Sequence, residues 1–318
     1  MKVLRSVFWN AGEARLRAGW RLLLQIVLLI LLQIGMLAPL GLLIEPEGAL
    51  GSSISMVMVL LGFVLSIWLA GRFLDRRRFR DFGFRVGPEW WVDLGFGLAL
   101  GALLMAGIFV IERALGWVTV VETFDTAGRD VPFPIAILSP VFLFISVGIY
   151  EELWSRGYQL KNLAEGLNFK FWNARVAIVL ATLITSVLFG LLHAGNPNAT
   201  TISTLNIMLA GVFLALGFLL TGELAIPIGL HIAWNFFQGN VFGFSVSGTG
   251  AGPTFIAIQQ GGPDLWTGGP FGPEAGLIGI GAMVLGSLLT VGWVAWRYGQ
   301  ISLHLQLTEP ELLPRAER

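Results

Sequence analysis

The sequence predicts an all-α protein, a polytopic membrane helix bundle of about eight transmembrane helices. Three observations predict it. The chain of 318 residues is 55% hydrophobic and only 13% charged, where soluble domains carry about 25% charged residues. Its mean hydropathy is +0.76. Its apolar residues also come in stretches of about 20, the length of helix that crosses a hydrocarbon layer roughly 30 Å thick.

The first stretch, 20–44, is preceded by Lys2, Arg5, Arg15 and Arg17 and has Arg21 at its start, ahead of the apolar run from Leu22. It outruns the roughly 7–15 apolar residues of a signal peptide and reads as a retained helix. Further spans are expected at 53–73, 91–115, 133–160, 174–194, 203–221, 225–243 and 274–296. Their connections alternate in charge. The hairpin after the first span holds Glu45 and Glu47, and the loop 72–89 holds six arginines. The connection 116–132 holds Glu122, Asp125 and Asp130 against Arg129, and Arg156, Lys161, Lys170 and Arg175 follow the fourth span. By the positive-inside rule both termini are cytoplasmic, in a multi-pass protein of the cell membrane.

Residues 157–173 mix apolar, aromatic and basic side chains, and are expected to continue the fourth helix and then follow the membrane interface. Residues 243–273, rich in Gly and Pro with Asp264 as their one charge, predict a long irregular outer loop. Its apolar pieces, Phe255–Ile258 and Trp266, suit a segment that caps a cavity. The tail 298–318 is polar, and no internal repeat divides the chain, so 1–318 reads as one integral membrane domain. Zero net charge gives no reason to expect a nucleic-acid partner, and the absence of cysteine removes disulfides, thiolate metal sites and Cys nucleophiles.

Against this apolar background, charges inside spans stand out. Glu151 and Glu152 are adjacent in the fourth span, where each charge costs about 2.5–3.5 kcal/mol on insertion scales. Arg156 lies four residues after Glu152, on the same helix face, so these two can pair. Glu151 is turned about 100° away and has no local counter-ion. His193 ends the fifth span. His231 and Asn235, four apart, share a face of the seventh. Each group alone has a structural explanation: an ion pair, a packing histidine, a polar contact between helices. Their joint occurrence asks for more.

Glu151-Glu152-Leu-Trp-Ser-Arg156, Phe189-Gly-Leu-Leu-His193 and His231-Ile-Ala-Trp-Asn235 fit Glu-Glu-x-x-x-Arg, Phe-x-x-x-His and His-x-x-x-Asn. In that order on three apolar segments they resemble the CPBP family of intramembrane proteases. That family includes CAAX-prenyl endopeptidases and bacteriocin-processing or immunity-type relatives. The resemblance covers about 130–245 and implies hydrolysis of a peptide bond in a membrane-associated or lipidated peptide. It implies Glu151 as the base that activates water, helped by His193, with His231 and Asn235 at the oxyanion and Glu152 and Arg156 in support.

No cofactor is expected. The other arrangement open to these residue types is zinc or another divalent metal on Glu151, His193 and His231, with a free position for water. Two readings outside proteolysis remain: an ion-coupled membrane transporter, whose buried carboxylates and imidazoles would relay protons, and a non-catalytic bacteriocin-immunity-type membrane protein. Depth poses a difficulty for a shared site. At 1.5 Å per residue, simple alternation of spans puts His231 about 12 Å, Glu151 about 18 Å and His193 about 28 Å from the inner surface.

Overall fold

Backbone in hydrocarbon must satisfy its own hydrogen bonds, so the apolar runs become helices. A computed structural model describes residues 7–43, 49–250 and 252–313. Lys2, Arg5, Glu45 and Glu47 lie outside the described residues. The helices are α1 (Ala18–Leu43), α2 (Ala49–Ala70), α3 (Pro88–Ala114), α4 (Phe133–Gly166), α5 (Ala174–Leu192), α6 (Thr201–Thr221), α7 (Ala225–Phe236) and α8 (Leu277–Tyr298). Among the described residues, seven helices are long and apolar enough to cross a membrane, namely all but α7.

Local chemistry sets the boundaries. Pro88 opens α3, where its missing N–H costs nothing. The Asn173 side chain accepts from the Val176 N–H at 3.1 Å and caps α5. Thr200 and Ser203 form a reciprocal capping box at the start of α6. At the other end of α6, Gly222 takes the left-handed conformation, φ 73°, and turns the chain straight into α7.

The seventh predicted span is shorter than expected. α7 has 12 residues, extended by a π-helical turn, Phe237–Val241. It packs closely along α3, and a Cβ on Gly97 would lie 2.3 Å from the Ile226 carbonyl oxygen. The segment 79–83 meets the start of α7, where the Leu224 N–H donates to the Gly83 carbonyl at 3.0 Å. Nine of the 12 residues of α7 are buried, so this helix faces protein rather than lipid.

The α3–α7 contact depends on small residues. A Cβ on Gly229 would in turn sit 2.4 Å from the Leu94 carbonyl oxygen. Backbones this close pack well only without side chains between them. Gly97→Ala is therefore expected to destabilise the protein by about 1–3 kcal/mol through overpacking, read as a lowered unfolding midpoint in detergent.

Charged residues gather at one end of the bundle. Arg15 and Arg77 both pair with Glu165, and Arg21 pairs with Asp75 at 3.1 Å. The Leu313 N–H donates to the Arg76 carbonyl at 2.7 Å, bringing the last described residue to the same end. A short antiparallel pair, β1 (Trp9–Asn10) and β2 (Arg15–Leu16), lies there too.

The opposite end carries a two-stranded antiparallel sheet, β3 (Val118–Asp125) and β4 (Thr254–Gln260), with a register shift between Val120 and Glu122. The region 243–273 is thus not irregular throughout. The run Val-Thr-Val-Val-Glu-Thr-Phe-Asp is rich in β-branched residues, and it orders Phe255–Ile258 as its partner. Residues 157–166 continue α4 as expected, and the turn 167–173 exposes Phe169 and Phe171.

Candidate active site

α4 is regular to Glu152, π-helical over Leu153–Leu160, then regular again to Gly166. π-turns within a helix often occur at functional sites, since the extra residue re-aims side chains. The first half of α4, Leu138–Glu152, packs on α2 and α7, whereas α5 packs on residues 153–166. The first half of α4 and the end of α5 therefore flank a space, and the candidate site occupies it.

That space is a cavity of about 340 Å³. Glu151, His193, His231 and Asn235 all line it. All four face this one cavity, so the depth mismatch expected from simple alternation of spans does not separate them. Phe189 joins the two imidazoles, with ring centroids 4.8 Å from His193 and 6.2 Å from His231.

Glu152 and Arg156 lie behind the cavity, at 0% and 1% exposure. Arg156 Nη1 donates to Glu152 Oε1 at 2.8 Å and Nη2 to the Gly211 carbonyl at 2.8 Å. The guanidinium also stands 4.6 Å over the Phe189 ring. The same Glu152 oxygen accepts from His231 Nδ1 at 2.7 Å. On the other side of that imidazole, Nε2 stands 3.9 Å from Glu151 Oε2. The two glutamates, turned about 100° apart on their helix, thus flank one imidazole. An imidazole offers nitrogens on two edges, so it fits between carboxylates on diverging azimuths.

The arrangement is directional. Arg156 holds Glu152, Glu152 holds the Nδ1 proton of His231, and Nε2 is left toward the cavity. A carboxylate behind a histidine commonly fixes its tautomer in this way. His193 is fixed locally, its Nδ1 lying 2.7 Å from the Phe189 carbonyl, so Nδ1–H donates there and Nε2 is free to accept. Asn235 lies one turn beyond His231, half-buried, on the cavity wall.

The alternative of a metal on Glu151, His193 and His231 can be compared with this geometry. Among the described residues, no group of three or more His, Cys, Asp or Glu side chains is arranged to hold a metal ion. Glu151, His193 and His231 face one cavity but do not form a ligand set.

Other residues enter the site without a sequence signal. Ile207, Phe213 and Leu214 of α6 and Met283 of α8 make an apolar wall. Opposite, the turn Val246–Thr249 closes on itself through two backbone hydrogen bonds of 2.9 Å, with Ser247 and Gly248 both at positive φ. Asn196 and Asn198 donate to the Ser247 and Gly248 carbonyls at 2.9 and 3.2 Å. Glu274, buried just ahead of α8, accepts from the Ser247 N–H and from Gln238. Asn196-Pro-Asn198 reads from sequence only as a break after His193; the residues it grips lie about fifty positions later.

Burial pushes the Glu274 carboxyl up from 4.5 to about 7, against the hydrogen bonds it accepts. A raised acid favours the folded state while protonated. The unfolded chain ionises above 4.5, whereas the folded chain keeps the proton until about 7. The Glu274 contribution is therefore fully present below pH 4.5 and is lost as pH rises to about 7. Glu274→Gln is expected to flatten that part of the stability–pH curve, followed by thermal unfolding across the range.

Residues 133–237 match the family described as type II CAAX prenyl endopeptidase Rce1-like. The match includes all seven motif residues and agrees with the resemblance the motifs carry. A protein of Bacillus subtilis (strain 168), named uncharacterized protein YyaK, is 26% identical over 208 residues, or 63% of this chain. The aligned stretch spans 64% of that relative, less than two thirds of its length. No solved structure matches the chain significantly.

Proposed function

We propose that this chain, whose residues 133–237 match the Rce1-like family of CAAX-type membrane proteases, is an intramembrane endopeptidase with its catalytic core at about 130–245. The observation that carries the reading is the meeting of Glu151, His193, His231 and Asn235 in one cavity, from three helices. A transporter needs no such meeting of a base with amide and imidazole donors.

The proposed chemistry follows from the geometry. Glu151 Oε2 accepts no hydrogen bond from the protein. Its separation of 3.9 Å from His231 Nε2 is one that a water bridges with hydrogen bonds of about 2.8 Å to each. Glu151 takes the proton as that water attacks the scissile carbonyl carbon, and His193 Nε2 accepts from the same water. The carbonyl oxygen becomes the oxyanion of a tetrahedral intermediate. Asn235 and His231 donate to it, and a preorganised donor of this kind is worth about 2.7–4 kcal/mol. The C–N bond then breaks and the departing amine takes the proton from Glu151. No step is assigned to a metal.

The test is hydrolysis by purified protein in liposomes containing membrane-tethered peptides. Cleavage in water enriched in ¹⁸O should add the label to the new carboxylate. No cleavage of any tethered peptide, or cleavage that survives Glu151→Gln undiminished, sinks the assignment. Treatment with a divalent-metal chelator is expected to leave the rate unchanged. Loss of activity that one added metal ion restores would replace this mechanism with a metal-dependent one.

A further inference from the structure

The cavity has a shut end and an open end. Toward the charged end of the bundle it stops at the buried Glu152–Arg156 pair, and Leu153, Tyr158 and Leu160 fill the space behind, each 0% exposed. Toward the sheet end its wall is the Val246–Gly250 turn, where Thr249 and Gly250 are exposed. The route from water to Glu151 therefore starts at the sheet end, or sideways from lipid between α4 and α5.

The two ends differ sharply in charge. Six arginines lie between residues 72 and 85, and Arg15, Arg17, Lys170 and Arg175 lie at the same end. The connections at the sheet end, 115–132, 193–200 and 242–276, hold Arg129 as their one Lys or Arg, and Arg113 stands beside them in the last turn of α3, two basic residues against ten at the other end. Loop Lys and Arg set membrane orientation, and the rich side stays in the cytoplasm.

We infer that the site opens on the extracytoplasmic side. Given the endopeptidase reading, on which this part rests, its substrate is the outer juxtamembrane segment of a membrane-anchored polypeptide, and not a chain terminus offered from the cytoplasm. The Glu152–Arg156 layer separates the reacting groups from the cytoplasmic face. The apolar wall of α6 and α8 receives the part of the substrate that comes from lipid.

The cysteine-free chain allows a direct test. Thr249→Cys and Asp130→Cys place single thiols at the open end, and Lys170→Cys places one at the basic end; all three positions are exposed. A membrane-impermeant maleimide applied to intact cells is expected to label the first two, and Lys170→Cys only after permeabilisation. The reverse pattern overturns the inference. Asp130 lies away from the cavity wall, so it reports orientation even if Thr249→Cys fails to fold. Two anchored reporters then carry one cleavable sequence outside or inside the membrane. Cleavage of the outer reporter alone supports the substrate assignment, and cleavage of the inner one overturns it. Cleavage of neither, with outward labelling intact, overturns the endopeptidase reading and leaves the orientation standing.

Discussion

Glu151→Gln is expected to lower kcat by about 10³-fold or more, with little change in folding. General-base catalysis contributes about 10²–10⁴-fold. The amide keeps the size and shape of the carboxylate but cannot take the proton from water. Glu151 is partly exposed to the cavity, at 22% of its side chain, and its Oε2 has no protein partner to lose. The change should therefore appear in turnover and not in the unfolding midpoint. His231→Gln should be more complex, because it also releases Glu152. A Glu151→Gln enzyme with ordinary turnover in the liposome assay would move the base elsewhere, with Glu152 excluded by its bonds to Arg156 and His231.

Arg156→Leu is expected to show the opposite pattern, a large loss of stability. Removing one partner of a buried ion pair costs about 3–5 kcal/mol, because the other charge stays buried without compensation. Here the orphan would be Glu152, at 0% exposure and left with His231 as its remaining side-chain partner. The α4–α6 tie through the Gly211 carbonyl would go with it. The double variant Arg156→Leu, Glu152→Leu removes both charges and should recover part of the loss. Thermal unfolding in detergent compares the three proteins. A double variant less stable than Arg156→Leu alone would show that the pair does more than neutralise itself.

The chemistry-bearing residues were legible because helices convert spacing into geometry. A spacing of four from Glu152 to Arg156, or from His231 to Asn235, places them on one face whatever the surroundings. Convergence was not legible from span lengths. It depends on how α7 packs against α3, set by the fit of Ile226 against Gly97 and of Leu224 against Gly83, contacts between segments more than a hundred residues apart. The bond from Glu152 to His231 was missed for a related reason. Azimuth alone separates the two glutamates, but an imidazole from another helix fits between them.

The outer wall was the least legible part. Glu274 lies at the edge of an apolar run, where a carboxylate reads as a helix-end charge. Its partners, Ser247 and Gln238, belong to a Gly-rich stretch with little pattern. The β3–β4 sheet left a clearer trace in the β-branched run after α3. Composition alone sorted that run with the loops, because two short strands 130 residues apart do not announce one another.

That sheet has a consequence for the chain as an object that can be cut. β3 follows α3 directly, and β4 belongs to the segment leading to α8, so the ladder clasps the two halves of the polypeptide across the exposed link at Ala127–Gly128. The α3–α7 seam clasps them again within the bundle. A protease nick at that link should leave two fragments that migrate as one particle in mild detergent and part under denaturation. The protein should therefore tolerate being made as two pieces, 1–127 and 128–318, that assemble in the membrane.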